Sequence, residues 1–331
     1  MSFNSQILQD SFGRGHDYLR ISLIERCNLR CFYCMPEDGI ALRPRSHFMR
    51  NEEVLEIAKV FVDLGVKKIR LTGGEPLIRK DVDSIILELS KLPVELAITT
   101  NAVRAHEFVG VFKKAEMKSI NVSLDTLQSA RFEKITRRDE FNQVMSNIEL
   151  LIREGFSVKV NAVLMKGEND DEIIDFIEWT KVAPIDVRFI EFMPFDGNQW
   201  QWDKKISFNK ILDVISVKYG ETAIHKLPAL PNDTARNFKL NGAKGSFGII
   251  STVTNPFCDS CNRIRLTADG KIKNCLFSND ESDLLSALRA GQPIKPLIES
   301  AIKRKKFAKS GIEDFSDYKG HDNRAMISIG G

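Results

Sequence analysis

The sequence predicts an α/β fold: an incomplete parallel (β/α)6 barrel followed by a C-terminal extension of different texture. Three observations carry this expectation. Between residue 18 and about 220, β-rich apolar runs alternate six times with helix-periodic segments; no long interruption separates the units; and two further units, needed for an eight-stranded closure, do not follow. A chain of 331 residues with 43% hydrophobic and 28% charged residues has ample material for a core and reads as about two domains. We place these at 1–230 and 231–331.

The elements follow in order. YLRISLI (18–24) is a strand leading into a cysteine-rich loop, CNLRCFYC (27–34). The next helix is expected to start at Asn51 as N-cap, with Val54, Ile57, Ala58, Phe61 and Leu64 on one face. KKIRLTGG (67–74) is a strand ending in a glycine turn, and a helix runs from Asp81 to Leu89. VELAITTN (94–101), SINVSLD (119–125), FSVKVNAVL (156–164) and IDVRFIEFMP (185–194) are the remaining strands. Helices are expected near 105–116, 140–153, 170–180 and 207–219. Beyond 220, short β-like pieces at 246–253 and 264–267 precede two helical stretches, 282–290 and 296–309. KRKK (303–306) reads as a solvated helix face, and DNRAMISIGG has no evident packing pattern.

A formal charge of +3 makes no case for nucleic acid, although local basic clusters can still serve a small anion. No run approaches the roughly 20 apolar residues of a membrane span, and MSFNSQILQDSFGRG lacks a signal-peptide core. A cytoplasmic protein without membrane or nucleic-acid partners is therefore expected. The five histidines are scattered without metal-ligand spacing.

All six cysteines fall into two triplets: Cys27, Cys31, Cys34 and Cys258, Cys261, Cys275. Three thiolates on a short loop suit a four-iron cluster with one iron left open, whereas a zinc site would need a distant fourth ligand. Both remain possible on spacing alone. Arg20, Arg70, Lys159 and Arg188 each interrupt a strand pattern. In a parallel barrel neither strand face is water, so four like charges point to an anionic occupant, and Thr99 adds a hydroxyl donor. Arg263 and Arg265, two apart in an extended segment, project to one side. Arginine suits phosphate because its planar fork can grip two oxygens.

The spacing Cys27-x3-Cys31-x2-Cys34 with Tyr33 before the third cysteine resembles the signature of the radical S-adenosylmethionine superfamily, and Gly73-Gly74-Glu75-Pro76 resembles its second motif. CDSCNRIRLTADGKIKNC and the terminal Gly330-Gly331 resemble the GTP 3',8-cyclase family of molybdenum cofactor biosynthesis. One departure is Ala102, where that family has glycine after Thr-Thr-Asn.

The resemblance implies a TIM-like partial barrel with a second iron-sulfur cluster in its C-terminal extension, hence two [4Fe-4S] clusters and S-adenosylmethionine. It assigns Cys27, Cys31 and Cys34 to the cluster that generates a radical, and Cys258, Cys261 and Cys275 to one that holds the guanine of GTP. Tyr33, Gly74, Ser123, Met193 and Asn101 would contact S-adenosylmethionine. Read alone, Ser123 is a local hydrogen-bonding residue and Met193 a core filler. Arg20, Arg70, Thr99, Lys159, Arg188, Arg263 and Arg265 would bind GTP, and Gly330 and Gly331 would reach into the active site. An electron-donor protein, cyclic pyranopterin monophosphate synthase as the next enzyme, and a homodimer complete the implied partners.

Overall fold

The computed structural model describes residues 7–35, 43–196, 198, 200–229, 232–313, 315 and 323–330. The six expected strand-helix units are present: β1 Tyr18–Ser22, α1 Asn51–Asp63, β2 Lys68–Thr72, α2 Val82–Leu89, β3 Glu95–Thr100, α3 Ala105–Lys114, β4 Ser119–Ser123, α4 Ser129–Thr136, α5 Phe141–Arg153, β5 Ser157–Leu164, α6 Ile173–Val182, β6 Asp186–Glu191 and α7 Phe208–Tyr219. The short α4 was not expected; its polar sequence gives little apolar periodicity, and only Phe132, Ile135 and Thr136 are buried. The chain continues with β7 Ile224–Lys226, β8 Arg236–Leu240, β9 Ser246–Ile250, β10 Arg263–Leu266, β11 Lys271–Lys273, β12 Glu281–Asp283, α8 Leu284–Arg289, α9 Lys295–Lys303 and α10 Met326–Ile329.

Among the described residues twelve strands form one sheet, in the order β12-β11-β10-β1-β2-β3-β4-β5-β6-β9-β8-β7. The C-terminal third therefore does more than extend the barrel. It adds a parallel strand at each edge, β10 beside β1 and β9 beside β6, and then antiparallel strands outside these. Two further strand-helix units do not follow residue 220, as expected, yet two single strands join the parallel set. β9 and β10 are only five and four residues long and enter without their own crossover helices, so the βα rhythm is missing.

Strand parity sorts the side chains. Leu19, Ile21, Ile69, Leu71, Ile98, Ile120, Val122, Val160, Val187 and Phe189 are fully buried against the helices. The alternate positions face the barrel interior and are mostly polar. On α1, Val54, Ile57, Ala58 and Phe61 are buried as expected, but the cap position is Arg50 rather than Asn51. The reason is Glu53, which accepts from the Arg50 backbone N–H at 2.7 Å and pairs with Arg289, while the Asn51 amide turns to Ser84.

The described part of the tail, 323–330, is packed, which no sequence pattern marks. Ile327 and Ile329 are 1% exposed, and Ile329 joins a small second core with Phe195, Val253, Phe277, Ile312 and Phe315. Arg324 roots it, donating to both Asp269 carboxylate oxygens at 2.9 and 3.0 Å and to Glu281 at 2.5 Å. Spacing alone hides this, because the contacts are between segments far apart in sequence.

Candidate active site

The inward strand positions line a cavity of about 530 Å³, a size typical of ligand sites. Register explains its charge. Arg20 lies level with Arg70 on one neighbouring strand and Arg265 on the other, and Tyr18 lies level with Lys68 and Arg263. Lys159 and Arg188 approach from β5 and β6. Burial, and then Arg265 and Arg70 against the help of Tyr18, hold the Arg20 guanidinium down at about 9. Burial and Arg263 likewise lower Arg265 to about 10. Burial alone would raise the Tyr18 phenol, but Arg70 and Arg20 bring it to about 8, and the Arg70 Nε donates to it. The Nε atoms of Arg188, Arg263 and Arg265, the Thr99 hydroxyl and the Asn121 and Asn161 carbonyl oxygens are buried without hydrogen-bond partners among the described residues. The arginine and threonine donors call for an occupant with acceptor oxygens, and the two asparagine oxygens for one that also donates.

At one end the cavity meets the first cysteine loop: Cys27, Cys31, Cys34 and Tyr33 line it, with Gly74, Asn101, Ser123 and Met193 around them. The GGEP turn lies flat on this loop. Gly74 N–H donates to the Ile24 carbonyl at 2.6 Å and Glu75 N–H to that of Arg26 at 2.8 Å. A Cβ at Gly74 would stand 2.3 Å from the Arg26 carbonyl oxygen, and one at Gly73 2.7 Å from that of Ile24. The glycines thus make room for the chain's own backbone beside the cavity that both of them line. Glu75 is buried and accepts from Leu77 N–H, the Thr100 hydroxyl and Asn101 N–H at 2.9, 2.7 and 2.6 Å; burial nevertheless raises it to about 7. The Asn101 amide donates to Asn28 at 2.8 Å and to the Cys27 sulfur at 3.7 Å. Tyr33 donates to Asp125 at 2.6 Å. Ala102 adopts a left-handed φ of 62°, which accounts for the glycine expected there.

The three thiols of this loop are partly shielded, and burial pushes Cys27 up to about 11 and Cys34 to about 12. Cys31 is raised by burial, Asp125 and the other two thiols. At the second triplet, Cys258 feels both Cys275 and Cys261. Burial would raise Cys261, but Arg263 and Lys305 bring it down to about 6. All six cysteines are free. Among the described residues no three His, Cys, Asp or Glu side chains close on one point as a single-ion site requires. Two sets of three sulfur donors each suit the donor chemistry of a four-iron cluster with one open iron.

Every predicted cavity residue is brought together: Arg20, Arg70, Thr99, Lys159, Arg188, Arg263 and Arg265 with Tyr33, Gly74, Asn101, Ser123 and Met193. Cys258, Cys261 and Cys275 are not brought to the cavity wall, but their chain neighbours Phe257, Asn262 and Leu276 line it. Gly330 is buried at the ends of β1 and β2, where a Cβ would lie 2.4 Å from the Thr72 hydroxyl and 2.9 Å from Ser22; Gly331 lies outside the described residues. Tyr18, Lys68, Asn121, Asp125, Asn161, Asp233 and Met326 also line the cavity but were not named from sequence. Tyr18, Lys68, Asn121 and Asn161 share parity with predicted residues two positions along the same strand, a signal that was available. Lys305, expected on a solvated face, is 4% exposed.

Residues 21–180 match the Radical SAM superfamily and residues 185–310 match Molybdenum Cofactor Synthesis C. Molybdenum cofactor biosynthesis protein 1 of Bos taurus is 47% identical across 98% of this chain and 52% of that protein; the chain spans about half the length of this relative and of its human counterpart. GTP 3',8-cyclase, mitochondrial, of Arabidopsis thaliana is 46% identical across 99% of this chain and 84% of that protein. GTP 3',8-cyclase of Listeria welshimeri is 41% identical across 91% of each. Streptococcus suis SuiB bound to S-adenosylmethionine has the same fold, with a TM-score of 0.61 over 86% of this chain and 68% of that one at 16% identity. The chain belongs to the radical SAM superfamily and, within it, to the GTP 3',8-cyclase family.

Proposed function

We propose that the protein is a GTP 3',8-cyclase, converting GTP to (8S)-3',8-cyclo-7,8-dihydroguanosine 5'-triphosphate at the start of molybdenum cofactor synthesis. The observation that carries this is the single cavity whose walls present Lys68, Arg20, Arg70, Lys159, Arg188, Arg263 and Arg265 and whose end is the Cys27 loop. A triphosphate offers the acceptor oxygens that the buried Nε atoms of Arg188, Arg263 and Arg265 lack.

Cys27, Cys31 and Cys34 would hold the first [4Fe-4S] cluster, which when bound supplies the electron that cleaves S-adenosylmethionine to a 5'-deoxyadenosyl radical. Tyr33, Gly74, Asn101, Ser123 and Met193, grouped around that loop, would seat S-adenosylmethionine. The arginines and Lys159 orient GTP by its phosphates, so that a hydrogen atom leaves the ribose C3' and C3' bonds to guanine C8. One electron and one proton then complete the dihydro ring. Cys258, Cys261 and Cys275 would hold a second cluster against the guanine, with Arg263 and Arg265 between the two ends. Gly330, docked against Ser22 and the cavity-lining Thr72, would reach into the active site. The division at 230 then separates the part bearing the first cluster from the part bearing the second, with phosphate-binding side chains supplied by both. A reducing compartment such as the cytoplasm, an electron-donor protein, a following enzyme that consumes the cyclised nucleotide, and a homodimer belong to the same reading. No described helix is long and apolar enough to cross a membrane.

Anaerobically reconstituted protein given GTP, S-adenosylmethionine and a reductant should form 5'-deoxyadenosine and lose GTP in step. Deoxyadenosine formation that ignores GTP, or protein that binds zinc and no labile sulfide, would overturn the reading.

A further inference from the structure

The run Lys303-Arg304-Lys305-Lys306 leaves α9 with three exposed side chains and one buried one. Lys305 is turned inward, and the three protons of its ammonium each find an acceptor: the Asn274 carbonyl at 2.5 Å, the Arg263 carbonyl at 3.1 Å and the Cys261 sulfur at 3.6 Å. An ammonium with three donors is thereby fully used. The Arg263 guanidinium, stacked on the Phe257 ring at 4.3 Å, donates to the same sulfur at 3.8 Å.

Burying an ammonium costs several kcal/mol unless an opposite charge sits beside it. Two carbonyls satisfy hydrogen bonds but carry no net charge. Nearby cations make matters worse: Arg263 and Arg14 both disfavour the charged form of Lys305. An apolar side chain would fill this position at lower cost, so the lysine needs an anion, and the Cys261 sulfur is the acceptor within reach that becomes one on metal ligation.

We propose that Lys305 is a built-in counter-charge to the second cluster: its ammonium, bonded to the Cys261 sulfur, stabilises the added negative charge of the reduced cluster and so raises that cluster's reduction potential. Hydrogen bonds to cluster sulfurs and net charge around them are the levers by which a protein sets such potentials. Lys305 is a positioning residue, touching neither substrate nor reacting atoms. The inference rests on the reading that Cys258, Cys261 and Cys275 hold a cluster.

The test uses the full chain with Cys27, Cys31 and Cys34 changed to Ala, so that only the second site loads, and follows the reduced cluster by electron paramagnetic resonance at set potentials. At the potential where the parent is half reduced, Lys305→Met should show a reduced-to-oxidised ratio lower by tenfold or more, about 59 mV for a one-electron couple. Lys305→Arg should stay within threefold. An unchanged ratio in a fully loaded Lys305→Met protein overturns the inference, as does an Arg variant that falls as far as Met. If Met fails to retain iron, Lys305→Gln replaces it, keeping hydrogen-bond donors without charge. Iron lost from Met and Gln but kept by Arg supports the counter-charge, whereas iron lost from all three overturns it. A parent protein without iron or sulfide at this site would refute the cluster reading itself, a result distinct from a loaded cluster indifferent to residue 305.

Discussion

Replacing Gly330 by Ala sets two parts of the tail against each other. Residue 330 has φ of 85°, where an L-residue pays about 1–2 kcal/mol. The new methyl would also stand 2.4 Å from the Thr72 hydroxyl and 2.9 Å from the Ser22 Cβ, both fixed at strand ends. Together these come to roughly 2–4 kcal/mol against docking. Holding the tail down are Ile327 and Ile329, each 1% exposed and worth about 1.5–3 kcal/mol, and the Arg324 bonds to Asp269 and Glu281, about 1.5–3 kcal/mol more. The anchors win, so the tail stays rooted while its last residues lift from β1 and β2. Amide exchange at 324–328 should therefore remain protected in Gly330→Ala while GTP-dependent product formation falls about 100-fold, the loss expected of a shift near 1 Å at a reacting centre. Full turnover with a protected tail would refute the role given to the close approach of residue 330.

Arg20→Met should raise the thermal midpoint of the ligand-free protein by a few degrees, because a guanidinium level with Arg70 and Arg265 is exchanged for an apolar side chain, and should weaken GTP binding at least tenfold by calorimetry; a lower midpoint would show that Arg20 is net stabilising without a nucleotide. Gly74→Ala would force the turn away from the Arg26 carbonyl, so reconstituted protein should lose about half its iron and sulfide, and full iron content would contradict this. Arg289 above all, with Arg50, holds Glu53 at about 2 against a usual 4.5. Its stabilisation is complete above the unfolded value and is lost as pH falls towards 2. Glu53→Gln should cost about 1–3 kcal/mol at pH 7 and progressively less below pH 4.5, and a penalty independent of pH would remove the ion pair as its cause.

The parallel core was legible because β1 to β6 carry long alternating patterns and their helices have periodic apolar faces. The charges inside those strands were legible for the same reason: in this fold a lysine at 159 or an arginine at 188 has no solvent to face. What stayed hidden depended on contacts distant in sequence. The strand at 236–240 is short and charged, and only its antiparallel neighbours define it, whereas the pieces at 246–253 and 264–267 were legible as β-like but not as additions to the parallel set. Lys305 looked like its solvated neighbours because nothing local marks the turn that sends it to Cys261. The GGEP glycines stand out at a strand end, but the close approach of the Ile24 and Arg26 backbone that they permit has no local mark in the sequence.

The position of β10 bears on how the protein is made. β1 leaves the ribosome long before β10, yet one of its edges is completed only by β10, through pairs such as Tyr18 with Arg263. Until then that edge presents unpaired amides and carbonyls beside exposed Leu19 and Ile21, a template for association with other chains. β6 waits in the same way for β9. A fragment ending near residue 230 would keep both edges bare and should aggregate during synthesis, whereas the full chain buries them in its final act of folding, when the segment bearing Cys258 and Cys261 is drawn from one edge to the other.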